Sequence, residues 1–347
     1  MTQLLLYIAL AFAVTVALAR LLQGPATHFG LVDRPGGRKQ HAGDVPIIGG
    51  VAMFCGFAVA LLAANHPGLP ARSVVATLGL LVLVGIIDDH HDLRARYKFV
   101  AQIAAALFMI LWSGRQISLL GPLFGPAELG LSVFAIPFTI VCVMGVINAV
   151  NMMDGIDGLA GSICAVALAW LAIAAALSGL DAQLWMALMA LGAIAGFLIF
   201  NLRFPWRPKA AIFMGDAGSM MLGFFLVWLT VDLTQGPDRS MPPITAVWII
   251  ALPLMDLARV MMTRLRRRQS PLVADRTHLH HLLLARGLGT GQIVAIMVGL
   301  SLTGGAIGIG AWQLGMPDWL MFYAFIAVLI AYYKTIRKNE KRAARQI

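Results

Sequence analysis

Apolar runs long enough to cross a bilayer recur along this chain from one end to the other. Hydrocarbon roughly 30 Å thick is spanned by about 20 apolar helical residues, and reading for runs of that order finds about eleven. They cover residues 2–22, 47–65, 72–88, 99–113, 131–149, 159–178, 183–201, 211–231, 242–263, 291–313 and 318–336. With 60% hydrophobic and 12% charged residues, no soluble core could bury this much apolar surface. The pattern predicts an all-α, polytopic integral membrane protein. Its single transmembrane domain runs over residues 1–336, followed by a basic cytoplasmic tail over 337–347. Residues 116–131, with Gly-Pro turns between short apolar runs, are expected to form a small external hairpin.

Charge sets the orientation. If the N-terminus is outside, the segments joining spans 1–2, 3–4, 5–6, 7–8 and 9–10, together with the tail, share one side of the membrane. That side carries nearly all the Lys and Arg, whereas the other keeps only Arg72, Arg115 and Arg239. The rich side is therefore cytoplasmic, with the C-terminus inside. The net charge of +10 is explained by topology first and by attraction to anionic lipid or phosphate second. The charges are scattered over short loops, so nucleic acid is not an expected partner. The N-terminus lacks a positively charged leader region and reads as an uncleaved first span. Cys55, Cys142 and Cys164 lie inside predicted spans and read as small hydrophobes, not as a disulfide or metal framework.

The remaining polar residues gather at the predicted cytoplasmic ends of spans, in five clusters. In residues 32–50, Arg38, Lys39 and His41 offer cationic donors for phosphate oxygens; an ordinary basic loop is the alternative. Next, Asp88 and Asp89 end an apolar span. There a lipid-facing carboxylate is costly, so the pair is expected to face a polar cavity, near Arg94, Arg96 and Lys98. Adjacent carboxylates can hold Mg²⁺ or orient a phosphate nucleophile, although salt-bridged helix ends look alike. In N-x-x-N-x-x-D-G-x-D-G-L, helical spacings of three put Asn148, Asn151 and Asp154 near one face, with Asp157 beyond. In F-M-G-D-A-G-S, Asp216 lies in a Gly-rich turn interrupting the start of span eight, suited to a metal-bound diphosphate near exposed backbone N–H groups. Phe213 beside it could pack or stack on a base. Finally, His278, His280 and His281 form H-x-H-H, without the Cys or Glu of common zinc motifs; contact with phosphate or sugar fits better.

Jointly, D-D-x-x-D, N-x-x-N-x-x-D-G-x-D-G-L, F-M-G-D-A-G-S and H-x-H-H, in this order on one predicted face, resemble the polyprenyl-phosphate N-acetylhexosamine-1-phosphate transferases. The resemblance runs from about Asp33 to Gly287. The branch using UDP-MurNAc-pentapeptide has three consecutive histidines, which Leu279 interrupts here. That departure implies UDP-GlcNAc as donor and undecaprenyl phosphate as acceptor, giving undecaprenyl-diphosphate-GlcNAc and UMP at the bacterial inner membrane. Other UDP-N-acetylhexosamines remain as alternatives, and an oligomer is left open.

The resemblance also implies residue roles. Asp216 and Asn151 would be ligands of a catalytic Mg²⁺, with Mn²⁺ as an alternative. Asp88, Asp89 and Lys98 would lie next to the lipid phosphate. Asp154, Asp157 and Phe213 would line the uridine side, and Arg276 with the three histidines would face sugar and diphosphate. Asn148, Arg38, Lys39 and His41 are the remaining candidate substrate contacts. A phosphate monoester, with its second pKa near about 6, is already nucleophilic at cytosolic pH. Direct attack is therefore preferred, with Asp88 orienting or acting as base; a covalent aspartyl route stays open. An ion-coupled transporter would place its carboxylates near the membrane midplane. The CDP-alcohol phosphotransferases would show D-G-x-x-A-R, and Asp154-Gly155 is followed by Ile156-Asp157.

Overall fold

The computed structural model describes residues 2–33, 43–236, 239–266, 268 and 278–343, the last five by backbone alone. In chain order the elements are α1 (Thr2–Leu21), α2 (Gln23–His28), β1 (Val32–Asp33), β2 (Val45–Pro46), α3 (Gly49–Ala63), α4 (Ala71–His91) and α5 (Ala95–Ser113). After these come α6 (Ala135–Met153), α7 (Leu159–Leu177), α8 (Asp181–Asn201), α9 (Gly215–Thr234), α10 (Pro243–Ile249), α11 (Ala251–Arg266), α12 (Leu279–Leu284), α13 (Thr290–Gln313) and α14 (Asp318–Ala343). All the expected apolar runs are helical, and the chain is an all-α multi-pass membrane protein. Among the described residues, nine helices are long and apolar enough to cross a membrane.

Two expected spans take other forms. The second, α3, has 15 residues, because Val45 and Pro46 pair with Asp33 and Val32 in a small antiparallel ribbon. The ninth is broken into α10 and α11, bent by 80°. Pro253 explains the break. A proline ring clashes with the carbonyl four residues earlier, here Ile249, the last residue of α10.

Helix α9 is the axis of the bundle. Some 94% of its apolar window is buried, against 17% for α1 and for α14, which lie at the periphery. It packs mainly on α4 and α6, and also on α3 and α7. The approach of α4 is so close that a Cβ on Gly85 would overlap the Ala217 backbone. That contact brings the end of α4 against the start of α9. At the far end of α9, Asp232 pairs with Arg115 and accepts from Gln183 Nε2 at 2.8 Å. There residues 116–131 form the expected hairpin, closed by an antiparallel bridge between Leu119 and Gly130. Gln235 Oε1 accepts from the Ser118 and Leu119 N–H groups at 2.9 and 3.0 Å and fixes the hairpin to α9.

Candidate active site

Four of the predicted clusters meet where α4 and α6 end and α5 and α9 begin. Asp92, with φ 50, turns the chain out of α4 into α5, which starts at Ala95, four residues before the expected span. Lys98 thereby falls on the first turns of α5, facing back to α4. Its ammonium lies 3.0 Å from Asp88 Oδ2 and 3.0 Å from Asp216 Oδ2. Asp88 Oδ1 accepts the Leu93 N–H at 2.8 Å, so both oxygens of this 8%-exposed carboxylate are engaged.

Asp216 stands in the first turn of α9, after Gly215 at φ 71. Asn151, near the end of α6, donates from Nδ2 to Asp216 Oδ1 at 2.8 Å and to Ser219 Oγ at 2.9 Å. Ser219 escaped notice in sequence because a serine inside G-D-A-G-S reads as turn chemistry. Asp89 does something different from Asp88. It accepts the N–H groups of Asp216 at 2.8 Å and Ala217 at 3.3 Å, so it caps α9 from another helix. The expectation of exposed backbone N–H groups at this turn is corrected for Asp216 and Ala217, whose N–H groups are taken by a carboxylate.

The Asn-Asp segment divides. Asn148 and Asn151 lie on α6, but Asp154 is already past its end. Asn148 donates to Gln102 Oε1 at 2.9 Å and to Met144 O at 2.7 Å, away from Asp216. Asp157 pairs with Arg203 Nε at 2.7 Å and accepts the Ala210 N–H at 3.2 Å. Asp154 stands in the α6–α7 loop. Burial, reinforced by the carboxylates of Asp216, Asp89 and Asp157, pushes its carboxyl up to about 8. A proton held there relieves like-charge repulsion. Phe213 is half-buried; its N–H donates to Pro46 O at 2.9 Å and its carbonyl accepts from Gly49 N at 2.9 Å.

The histidines arrive from the other side. His278 precedes the short α12, and its Nδ1 lies 2.8 Å from Asp256 Oδ2. His280 is 0% exposed, and among the described residues neither ring nitrogen has a hydrogen-bond partner. Burial, then the neighbouring His281 and His278, lower its pKa to about 3 and keep the ring neutral. A Cβ on Gly155 would run into this ring, so the glycine admits the histidine loop to the Asp154–Asp157 segment. Asp256 itself was missed in sequence, although an isolated acid inside an apolar run is a recognisable signal. Arg38, Lys39, His41 and Arg276 lie outside the described residues.

Comparison with known proteins covers most of this machinery. Residues 71–234 match the family described as Glycosyl transferase family 4, a stretch holding every site residue named above from Asp88 to Ser219. The chain is 35% identical to a Yersinia pestis protein over 94% of its own length and 90% of that protein. It is 34% identical to one from Salmonella typhi over 96% and 90% of the two chains. A Pasteurella multocida protein is 38% identical over 90% and 88%. All three carry the name undecaprenyl-phosphate alpha-N-acetylglucosaminyl 1-phosphate transferase.

Proposed function

Since the chain belongs to glycosyl transferase family 4, we propose that it transfers GlcNAc-1-phosphate from UDP-GlcNAc to undecaprenyl phosphate. The products are undecaprenyl-diphosphate-GlcNAc and UMP, and the step initiates a cell-envelope polysaccharide. The names of its bacterial relatives support both substrates, and the asymmetry of Lys and Arg supports an inner-membrane protein with its site toward the cytoplasm and its N-terminus outside.

The observation that carries the reading is the chain of contacts Asp88–Lys98–Asp216–Asn151 at one end of a membrane-spanning bundle. A reaction between a long-tailed lipid and a soluble nucleotide needs a site open to both phases, and helix ends meet that need.

Magnesium takes oxygen donors and is commonly held by one or two carboxylates plus substrate phosphates. The Asp216 carboxylate, with the Asn151 amide and Ser219 hydroxyl beside it, is a donor set of that kind. Among the described residues no three His, Cys, Asp or Glu converge as a metal-holding group, which leaves room for diphosphate and water as ligands. Asp216 and Asn151 would hold Mg²⁺, or Mn²⁺ in its place; when bound, the ion neutralises charge on the donor diphosphate.

The side chains divide the remaining work. Lys98, bridging two carboxylates, can turn its charge to the incoming lipid phosphate. Asp88, held by Leu93 N–H and Lys98, orients that phosphate or takes its proton, and direct attack on the β-phosphorus needs little more than alignment and charge relief. Asp154 and Asp157 lie on the nucleotide side with Phe213. Neutral His280 has one ring nitrogen to donate to a sugar or phosphate oxygen and one to accept from a sugar hydroxyl.

The test is to supply the purified protein with undecaprenyl phosphate, Mg²⁺ and UDP-GlcNAc, UDP-GalNAc or UDP-QuiNAc in turn, measuring UMP and lipid-linked sugar. Transfer from UDP-GlcNAc is expected. Preference for another donor would move the sugar assignment, and no UMP from any of them would overturn the reading.

A further inference from the structure

Asp256, on α11, is 0% exposed and forms a node between three helices. Oδ2 meets His278 Nδ1 at 2.8 Å. Oδ1 accepts from Leu279 N at 3.1 Å, from the Tyr332 hydroxyl of α14 at 3.0 Å and from the Arg259 guanidinium at 3.3 and 3.4 Å. A carboxylate only accepts, so the short contact to His278 requires a proton on Nδ1, and the tautomer with that proton leaves Nε2 as an acceptor.

Helix α12 has six residues, too few to hold its own shape in isolation. Its orientation must come from outside, and Asp256 grips both the residue before it and its first N–H. From His278 the geometry passes to His280. Their rings are nearly parallel, 8° apart in plane and 5.9 Å between centroids. His280 in turn lies against Gly155, beside Asp154.

We infer that Asp256 is a positioning residue for phosphosugar transfer: it fixes the tautomer of His278 and so sets the histidine pair against the Gly155–Asp157 loop. This rests on the proposed function for the reaction it serves. Asp256 touches no reacting atom; it acts through His278.

Asp256→Asn is the test, made on the full chain in detergent or nanodiscs. The amide oxygen can still accept from Leu279 N–H, while its N–H₂ faces His278 Nδ1 and demands the other tautomer. The expected result is a fall in kcat of roughly 10- to 100-fold, the cost typical of removing the partner that orients a functional histidine, with KM for UDP-GlcNAc little changed. His278→Gln should fall similarly, and the double variant no further, because the two residues act as one unit. Tyr332→Phe removes one bond from Oδ1 and leaves the His278 contact on Oδ2 in place, so it should lower the unfolding midpoint and keep wild-type kcat. Imidazole ¹⁵N shifts of His278, read without substrate, should report Nδ1–H in the wild type and Nε2–H in Asp256→Asn. Wild-type kcat in Asp256→Asn, multiplying losses in the double variant, equal loss in Tyr332→Phe or an unchanged tautomer would each overturn the inference. If the wild type makes no UMP, the functional reading fails, and the tautomer measurement still decides on Asp256.

Discussion

Lys98 and Asp216, 118 residues apart in sequence, meet at 3.0 Å where α5 and α9 begin. The same ammonium reaches Asp88, so one lysine neutralises two carboxylates from two other helices. Lys98→Met leaves those acids facing each other in a partly buried site. It should reduce transfer by about 100-fold or more and lower stability by about 1 to 3 kcal/mol, less than for a fully buried pair. UMP release and thermal unfolding measure the two effects; an active variant would remove Lys98 from the mechanism.

Asp216→Asn keeps the shape of the side chain and removes its charge. Mg²⁺-dependent transfer should disappear while the protein still inserts and folds. Activity titrated against Mg²⁺ at wild-type strength in this variant would sink the metal assignment.

For Asp89 the expected loss is one of structure. Asp89→Ala should cost about 1 kcal/mol, as helix N-caps do, and displace Asp216 with the first turn of α9. Thermal unfolding and kcat should fall together. If stability is untouched, the cap contributes nothing and Asp89 must act on substrate.

Asp154 ties stability to pH. Its carboxyl is held at about 8 in the folded chain, against about 3.9 when unfolded. The contribution is complete below about pH 4 and is lost as pH rises toward 8, because the unfolded chain releases this proton first. Asp154→Asn should therefore gain on the wild type as pH rises from 5 to 8.5, in unfolding curves recorded without Mg²⁺. A constant gap would contradict the raised value.

His280 has the opposite sign. With the folded value near 3 and the unfolded one near about 6.5, stability is lost as pH falls below 6.5, where the unfolded chain takes up a proton the folded ring refuses. His280→Gln should lose less stability between pH 7 and pH 4 than the wild type does.

The spans and the site's neighbourhood could be read from hydropathy and charge because burial in lipid and the placement of Lys and Arg act on runs of residues. Contacts between helices could not. Asp88 and Asp89 look equivalent in sequence; only the docking of α4 on α9 makes one a partner of Lys98 and the other a cap. Equal spacing suggested a shared face for Asn148 and Asn151, yet Gln102 draws Asn148 aside. The break at Ile250 was legible in principle, since Pro253 marks it, but the apolar run continues unbroken through that point. Asp256 carries no motif, and its meaning depends on a histidine 22 residues away.

The cap on α9 also bears on how the site lets go. A helix end with free N–H groups is a fixed anion site, since a backbone cannot swing aside. Here Asp89 already occupies the N–H groups of Asp216 and Ala217. Anions at this end of α9 would then fall to side chains that can rotate, and Lys98 has two carboxylates to return to. Product release limits many enzymes, and a hold made by side chains is one that can be undone.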